Sequence, residues 1–183
     1  MISNNARKSI DKMVERAIQA SPLVSADAPR QIEAGVDLAR IATEKMVALT
    51  VSSYVFRLTF LIHFSGDEAT RAHFAAVNRV AVQELDDQAF NDSIRECGNI
   101  CCGNLNRDLV RVFPHVGMST PNIIDRRCID YLGKLGQGYV QHFGLLGNTG
   151  PALAVTVCVN EFEDLDFSGD FEEAEATGEL EMF

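Results

Sequence analysis

Apolar residues recur at helical spacing in four stretches of this chain, where every third or fourth position is hydrophobic. The pattern predicts helices over 4–20, over 29–48, from Asp67 through Val80, and over 86–112. Proline in the first turn favours the second helix, and aspartate is a residue type that caps helices such as the third. The fourth helix is the longest, and Phe113-Pro114 ends it because the residue before a proline disfavours helical geometry.

Elsewhere the hydrophobic period changes to two, which is typical of strands with one buried face. In 57–64, Leu58 and Phe60 point one way while Thr59 points the other. The residues 50–56 are predicted to be a neighbouring strand or the first half of the same one. Three further strands are predicted over 123–132, 137–146 and 152–162, with a turn at 147–151. This order of elements favours an α+β fold in which an antiparallel sheet packs against long helices.

Length and charge together describe one folded body with an acidic tail. The chain has 183 residues, enough for one domain with a substantial core. Its net charge is −10. Ten acidic residues and no Lys or Arg lie from Glu161 onward, so the rest of the chain has 16 acidic and 16 basic residues. We divide the chain into an N-terminal helix and loop (1–28), a central domain (29–162) and an acidic tail (163–183) that is expected to be mobile. A neutral body argues against nucleic acid or an anionic membrane as the partner, since both attract basic surfaces.

Other features favour a cytoplasmic protein. The N-terminus lacks the basic-then-apolar layout of a secretion signal, and no apolar run approaches the roughly 20 residues of a membrane span. Five cysteines, an odd number without paired spacing, indicate free thiols in a reducing compartment. Cys97, Cys101 and Cys102 could suggest a metal or redox site, but no histidine lies at a supporting interval. We interpret them as buried thiols and predict no metal site.

The stretch DSIRECGNICCGNL, which begins at residue 92, carries the candidate chemistry. Four of its residues are separated by four, three and four positions and so share one face of a helix: Asp92, Glu96, Asn99 and Gly103. An apolar face of the same helix would pack on the sheet, which leaves this polar face outward. Glycine inside a helix costs about 1 kcal/mol relative to alanine. The missing side chain at Gly103 would let a partner approach closely, so we interpret the face as a docking surface.

This stretch resembles the signature of the CheC/CheX/FliY phosphatases of bacterial chemotaxis signalling. In that signature an acidic residue is followed at fixed spacing by glutamate and asparagine, and later by proline; here they are Asp92, Glu96, Asn99 and Pro121. The 21 residues between Asn99 and Pro121 are one fewer than is usual in the family. The segments ECGNI and GMSTP are most like those of CheX. The resemblance in sequence covers about residues 84–125. Over residues 30–160 it is weaker and concerns mostly the architecture.

The resemblance implies a CheC-like fold and the hydrolysis of the aspartyl phosphate of a response-regulator receiver domain, CheY or a relative. The receiver supplies Mg²⁺ for that reaction, so no cofactor is expected on this chain. Asn99 would hold the attacking water, and Glu96 would pair with the active-site lysine of the receiver. Asp92, Gly103 and Pro121 are expected to contact the receiver. The resemblance to CheX also implies a homodimer formed through the sheet.

Two alternatives stay open. The same surface could bind a signalling or motility partner without catalysis, as a non-catalytic CheC-like module, which the N-terminal helix and the acidic tail favour. The domain could also have an unrelated function, since glutamate and asparagine on a helix are most often part of a solvated face. The tail is interpreted either as a solubilising segment or as a segment that binds a partner.

Overall fold

A computed structural model describes residues 1–24, 31–147 and 152–169 of the chain. Three α-helices and seven strands follow one another as α1 (Asn4–Gln19), β1 (Gln31–Ala34), β2 (Lys45–Ser52), β3 (Phe56–Phe64), α2 (Glu68–Asn78), α3 (Asp87–Leu109), β4 (Gly117–Met118), β5 (Asn122–Asp125), β6 (Tyr139–Leu146) and β7 (Leu153–Glu161). Three 3₁₀ segments cover Leu38–Arg40, Val82–Glu84 and Arg126–Leu135. The predicted α+β class is confirmed, while most of the predicted turn at 147–151 lies outside the described residues.

The strands form a single sheet in which all neighbours run antiparallel. Their order is β1, β6, β7, β3 and β2, and both β4 and β5 pair with β2 at the far edge. The central strands β3 and β7 pair over their length, from Phe56 opposite Glu161 to His63 opposite Ala154. The strands predicted over 57–64, 137–146 and 152–162 are therefore confirmed.

One face of the sheet and the three helices enclose a common hydrophobic core. Strand β3 contributes Phe60 and Ile62, α1 contributes Met13, and α3 contributes Leu105, all of them almost fully buried. Ser3 caps α1 by accepting a hydrogen bond from the amide nitrogen of Ala6. The N-terminal helix therefore packs into the same core as α2 and α3.

The helix predicted over 29–48 is wrong. Residues 31–34 instead pair with β6, and residues 45–52 pair with β3 and with the far edge strands. Gly35 ends β1 with a φ of +77°, a left-handed conformation that an α-helix does not contain. In β2, Val47, Leu49 and Val51 are buried in the core, so the period there is two and not 3.6.

The strand predicted over 123–132 is correct only for its first three residues. Strand β5 ends at Asp125, whose carboxylate accepts a hydrogen bond from the amide nitrogen of Arg127 at 2.8 Å. Aspartate side chains that bond the nearby backbone in this way compete with sheet pairing. The chain continues as a 3₁₀ segment that ends at Gly136, where φ is +63°.

The second face of the sheet buries a small polar cluster. His63 Nε2 and His142 Nδ1 each lie 2.8 Å from Thr156 Oγ1, and both His63 and Thr156 are fully buried. The hydroxyl group has one proton, so it donates to one ring and accepts from the other. Burial lowers the pKa of His63 to about 3, with further contributions from the nearby Arg126 and His142. Burial also lowers the pKa of His142.

The first residues of the acidic tail lie against α1. Leu165 is buried and forms a parallel β-bridge with Ile2, and Ser3 Oγ donates a hydrogen bond to Asp166 at 2.6 Å. The ring of Phe167 packs edge-on against that of Phe113. Residues 163–169 are therefore part of the folded body, while the predicted mobility of the tail falls mainly on residues outside the described range.

Helix α3 lies close to the sheet at Gly98. A Cβ atom added there would lie 3.1 Å from Leu49 Cδ1 and 3.1 Å from Val47 Cγ1, closer than ordinary van der Waals contact. A Cβ atom added at Gly103 would meet no atom within 4 Å. The two glycines of this helix thus have different roles, and Gly98 sets the distance between α3 and β2.

We expect the free energy of unfolding to fall by about 2 kcal/mol between pH 7 and pH 5 through His63 alone. The unfolded chain takes up a proton near pH 6.5, whereas the folded chain holds His63 neutral until about pH 3, so acid favours the unfolded state. Urea unfolding at several pH values measures this loss. His63→Gln keeps a donor for Thr156 but does not titrate, so its stability should fall less steeply; equal slopes would contradict the assignment.

We expect alanine to have opposite effects at the two glycines of α3. Gly103→Ala should raise the free energy of unfolding by about 0.5–1 kcal/mol, because alanine favours the helix and the site is open. At Gly98 the same gain is opposed by contact with Val47 and Leu49, so this variant should be at least about 1 kcal/mol less stable than Gly103→Ala. Urea unfolding of both variants tests the expectation, and equal stabilities would show that the sheet contact is unimportant.

Candidate functional site

The candidate site lies on α3, which has 23 residues and a length of about 35 Å. Its N-terminus is fixed by Asp86, whose carboxylate accepts a hydrogen bond from the amide nitrogen of Ala89 at 2.8 Å. At the other end the amide nitrogen of Phe113 still bonds the carbonyl of Leu109, immediately before Pro114. The helix predicted over 86–112 is therefore confirmed, and its middle carries the predicted residues.

The contact at Gly98 determines which way the neighbouring side chains point. Successive residues of a helix are rotated by about 100°, so Cys97 and Asn99 project to opposite sides of the Gly98 contact. Cys97 lies on the side of α1, where its sulfur contacts the backbone of Leu23. Asn99 therefore projects to the other side of the Gly98 contact, away from Leu23.

The two short strands β4 and β5 form one edge strand that a bulge interrupts. The amide nitrogen of Ser119 donates to the carbonyl of Thr50 at 2.9 Å, and pairing with β2 resumes where Asn122 lies opposite Ala48. Residues 120–121 thus share a single position of β2, which is the definition of a β-bulge. Bulges of this kind bend an edge strand locally and change the direction of its side chains.

Pro121 occupies this bulge, where its missing N–H group leaves no ladder hydrogen bond unmade. It lies opposite Leu49, the residue that packs against Gly98 of α3. Helix α3 contacts both β4 and β5, so the bulge that holds Pro121 lies near this helix. The proximity of Pro121 to Asn99 stays a prediction.

Glu96 and Asn99 reach the surface together. Glu96 is exposed and Asn99 is half-buried, and the Nδ2 group of Asn99 donates a hydrogen bond to Glu96 Oε2 at 3.3 Å. With its amide nitrogen directed at the glutamate, the amide oxygen of Asn99 is left to accept from a water molecule or a partner. The pair is a carboxylate and an amide held side by side on an accessible helix.

The remaining predicted residues of α3 flank this pair. Asp92 is exposed one turn before Glu96 and forms an ion pair with Arg95, with 2.8 Å between Oδ1 and Nη1. Gly103 lies one turn beyond Asn99, with open space where a side chain would be. All four predicted residues of α3 therefore lie on its outward side, and their contacts with a partner stay a prediction.

The cysteines of α3 lie beneath this surface. Cys97, Cys101 and Cys102 are buried, as the apolar pattern of the helix predicted. Burial raises the pKa of Cys97 to about 12, with a contribution from the Glu96 carboxylate, and burial raises that of Cys102 to about 12. A thiol that keeps its proton at neutral pH is a weak nucleophile and a weak metal ligand.

Two residues of the site were not recognised from the sequence. The sequence gives no sign that Gly98 contacts Val47 and Leu49 of the sheet. Met118 is 40% exposed and pairs with Val51, whose side chain points into the core, so Met118 lies on the helix side of the edge strand. Its place beside α3 follows from strand register, for which the sequence holds no local signal.

Within the described ranges, no group of three or more His, Cys, Asp or Glu side chains is placed to hold a metal ion. None of the helices in the described part of the chain is both long enough and apolar enough to cross a membrane.

Neither a protein-family model nor a curated protein matches this sequence. Solved structures do match its fold. CheX of Borrelia burgdorferi, crystallised in a complex with CheY, BeF₃ and Mg²⁺, superposes with a TM-score of 0.62 at 15% identity, covering 85% of this chain and 97% of that chain. A CheC-like superfamily protein from Shewanella sp. PV-4 superposes with a TM-score of 0.60 at 10% identity, covering 86% of this chain and 99% of that chain.

CheX of Vibrio vulnificus gives a TM-score of 0.57 at 12% identity, with 83% of this chain and 97% of that chain covered. Nearly the whole length of each of these proteins is therefore matched. At such low identity the likeness concerns the fold, and the chain has the CheX and CheC-like fold that the resemblance in its sequence implied.

Proposed function

We propose that this protein accelerates the hydrolysis of the aspartyl phosphate of a CheY-like receiver domain. The observation that carries the proposal is the pair Glu96 and Asn99, exposed side by side on α3 in a chain with the CheX-like fold. CheX of Borrelia burgdorferi is found in a complex with CheY, which supports a receiver domain as the partner. The receiver would be phosphorylated, and the cytoplasm is the compartment in which we expect both proteins.

Asn99 is assigned the role of holding the attacking water. Hydrolysis requires a water oxygen to attack phosphorus in line with the bond to the aspartyl oxygen, which breaks as the carboxylate leaves. The amide oxygen of Asn99 can accept a hydrogen bond from that water, because the amide nitrogen is already directed at Glu96. Placing a reactant correctly contributes to the rate without any proton transfer to the protein.

Glu96 is assigned the role of an anchor for a cation of the receiver. Among the described residues none forms an ion pair with Glu96, whereas the neighbouring Asp92 is neutralised by Arg95. The available negative charge of this face is therefore concentrated at Glu96, one turn from the water-holding amide. A receiver lysine that pairs with Glu96 would fix the phosphoryl group relative to Asn99.

The surroundings of the pair suit the insertion of another protein. Gly103 leaves open space one turn beyond Asn99, and Met118 of the edge strand offers an exposed apolar side chain. Mg²⁺ bound by the receiver would neutralise charge on the phosphoryl group. This chain then needs only to orient water and partner, so no nucleophile or metal ligand is assigned to it.

Asn99→Ala should lower the stimulated rate of dephosphorylation by about 100-fold or more, because misplaced reactants cost rates of that order. The assay follows decay of a phosphorylated receiver in Mg²⁺ with and without this protein. Asn104→Ala is the matched control, since Asn104 lies on the same helix but donates a hydrogen bond to the carbonyl of Ala20, the residue that follows α1. A folded Asn99→Ala variant with an intact stimulated rate would exclude the proposed mechanism.

Glu96→Gln should weaken docking, so that more receiver is needed to reach half of the maximal rate. Glutamine keeps the acceptor for Asn99 but has no charge for the lysine of the receiver. Asp92→Asn is the control, because Asp92 is already paired with Arg95, and its effect should be several-fold smaller. Equal effects of the two variants would show that Glu96 has no particular partner.

The non-catalytic alternative is distinguished by the same assays. A module that binds the receiver without accelerating hydrolysis would show complex formation and an unchanged decay rate. The homodimer that the resemblance implied stays a prediction, and analytical ultracentrifugation of the purified protein measures it.

A further inference from the structure

The side of α3 that carries Glu96 continues as a row of residues to the end of the helix. Its members follow one another at intervals of four, three and four positions, so they share one side of the helix: Glu96, Ile100, Gly103 and Arg107. Arg107 comes nine residues after Gly98, which is about two and a half turns, so it lies opposite the sheet contact. This row, the outer row of α3, is about 16 Å long.

The outer row of α3 is open to solvent along its length. Ile100 is 38% exposed although it is a large aliphatic residue in the middle of the helix, and Glu96 and Arg107 are exposed at the two ends. Open space remains where Gly103 has no side chain. An apolar centre bordered by polar and charged groups is the composition typical of protein interfaces.

The two ends of the outer row carry opposite charges. Glu96 supplies the carboxylate at one end, and at the other end Arg107 lines a cleft together with Arg16 and Asp108. Asp108 is already engaged, since its carboxylate lies 3.7 Å from the guanidinium of Arg16 and 4.0 Å from that of Arg111. Of the carboxylates that the structure describes, none lies within ion-pair distance of Arg107. This end is therefore positive and complementary to an acidic group, whereas Glu96 is complementary to a cation.

We propose that a CheY-like receiver domain docks lengthwise along the outer row of α3, with an apolar side chain against Ile100 and an acidic side chain at Arg107. The inference rests on the proposed function, because it names further contacts of the same site. A lysine paired with Glu96 fixes one point of the receiver and leaves rotation about that point free. A second charged contact about 16 Å away removes this rotation, and so determines how the phosphoryl group faces Asn99.

Ile100 and Arg107 are thus residues that position the receiver and select among receivers. Arg107 favours receivers with an acidic group at the matching distance from the lysine, and it disfavours those with a basic group there, since like charges in an interface repel. Ile100 excludes water between the two charged contacts, as apolar residues at the centre of an interface do.

Binding of a CheY-like receiver domain loaded with beryllofluoride and Mg²⁺ tests the inference, because it measures docking without hydrolysis. Arg107→Gln should raise the dissociation constant by about fivefold and make it less dependent on salt, since one charged contact is lost. Arg57→Gln is the matched control, because it removes the same charge from an exposed position on the other face of the sheet. Equal effects of the two variants would reveal only a general influence of net charge and would overturn the inference.

A purely structural role of Arg107 is separated by urea unfolding. Arg107 lies in the last turn of α3, where a cation stabilises a helix. Loss of that effect alone would change the free energy of unfolding and leave the dissociation constant as it is, which would also overturn the inference.

Ile100→Ala should likewise raise the dissociation constant by about fivefold, and the variant should fold normally because alanine favours a helix. Val140→Ala is the matched control, since Val140 is 39% exposed on the other face of the sheet. Unchanged binding of either Ile100→Ala or Arg107→Gln would overturn the inference, even if the original protein stimulates hydrolysis. Weaker binding of both variants without any stimulated hydrolysis would exclude the phosphatase activity and leave the docking surface in place. A protein that neither binds the receiver nor stimulates its hydrolysis would overturn both proposals.

Discussion

The site depends on one close contact, the approach of α3 to β2 at Gly98. With no side chain there, the helix backbone rests on Val47 and Leu49, and the rotation of the helix about its axis is fixed. That rotation places Cys97 on the side of Leu23 and Asn99 on the opposite side of the contact. A helix packed through a larger residue would stand farther from the sheet, and the same sequence motif would then lie differently relative to Pro121.

The inner and outer sides of α3 therefore have different roles, in stability and in the candidate site. Its inner side supplies volume and apolar area, including thiols that burial keeps protonated. Its outer side contributes little to stability, since the ion pair and the amide contact found there are exposed. Functional residues on such a surface can be changed without unfolding the protein, which is why their effects on activity can be measured separately from stability.

The sequence predicted those features that depend on neighbours along the chain. The apolar and polar faces of α3, the cap Asp67, and the alternation in β3 and β7 are all local patterns. The segment 29–48 was mispredicted because its partners are distant, with β1 paired to β6 and β2 to β3 and the edge strand. A few apolar residues there fit a helical period as well, and tertiary pairing decided between the two conformations. The place of Pro121 in the edge strand likewise depends on strand register.

The bulge at Pro121 has a consequence for how copies of this sheet can associate. A strand edge that is short, bent and lacks an N–H group is a poor template for another strand. In the described part of the chain the opposite edge is β1, a regular strand. A sheet with one receptive edge can join a second copy edge to edge and then has no edge left to continue. A closed pair formed in this way would have no free edge, whereas a sheet with two receptive edges would permit open-ended fibres.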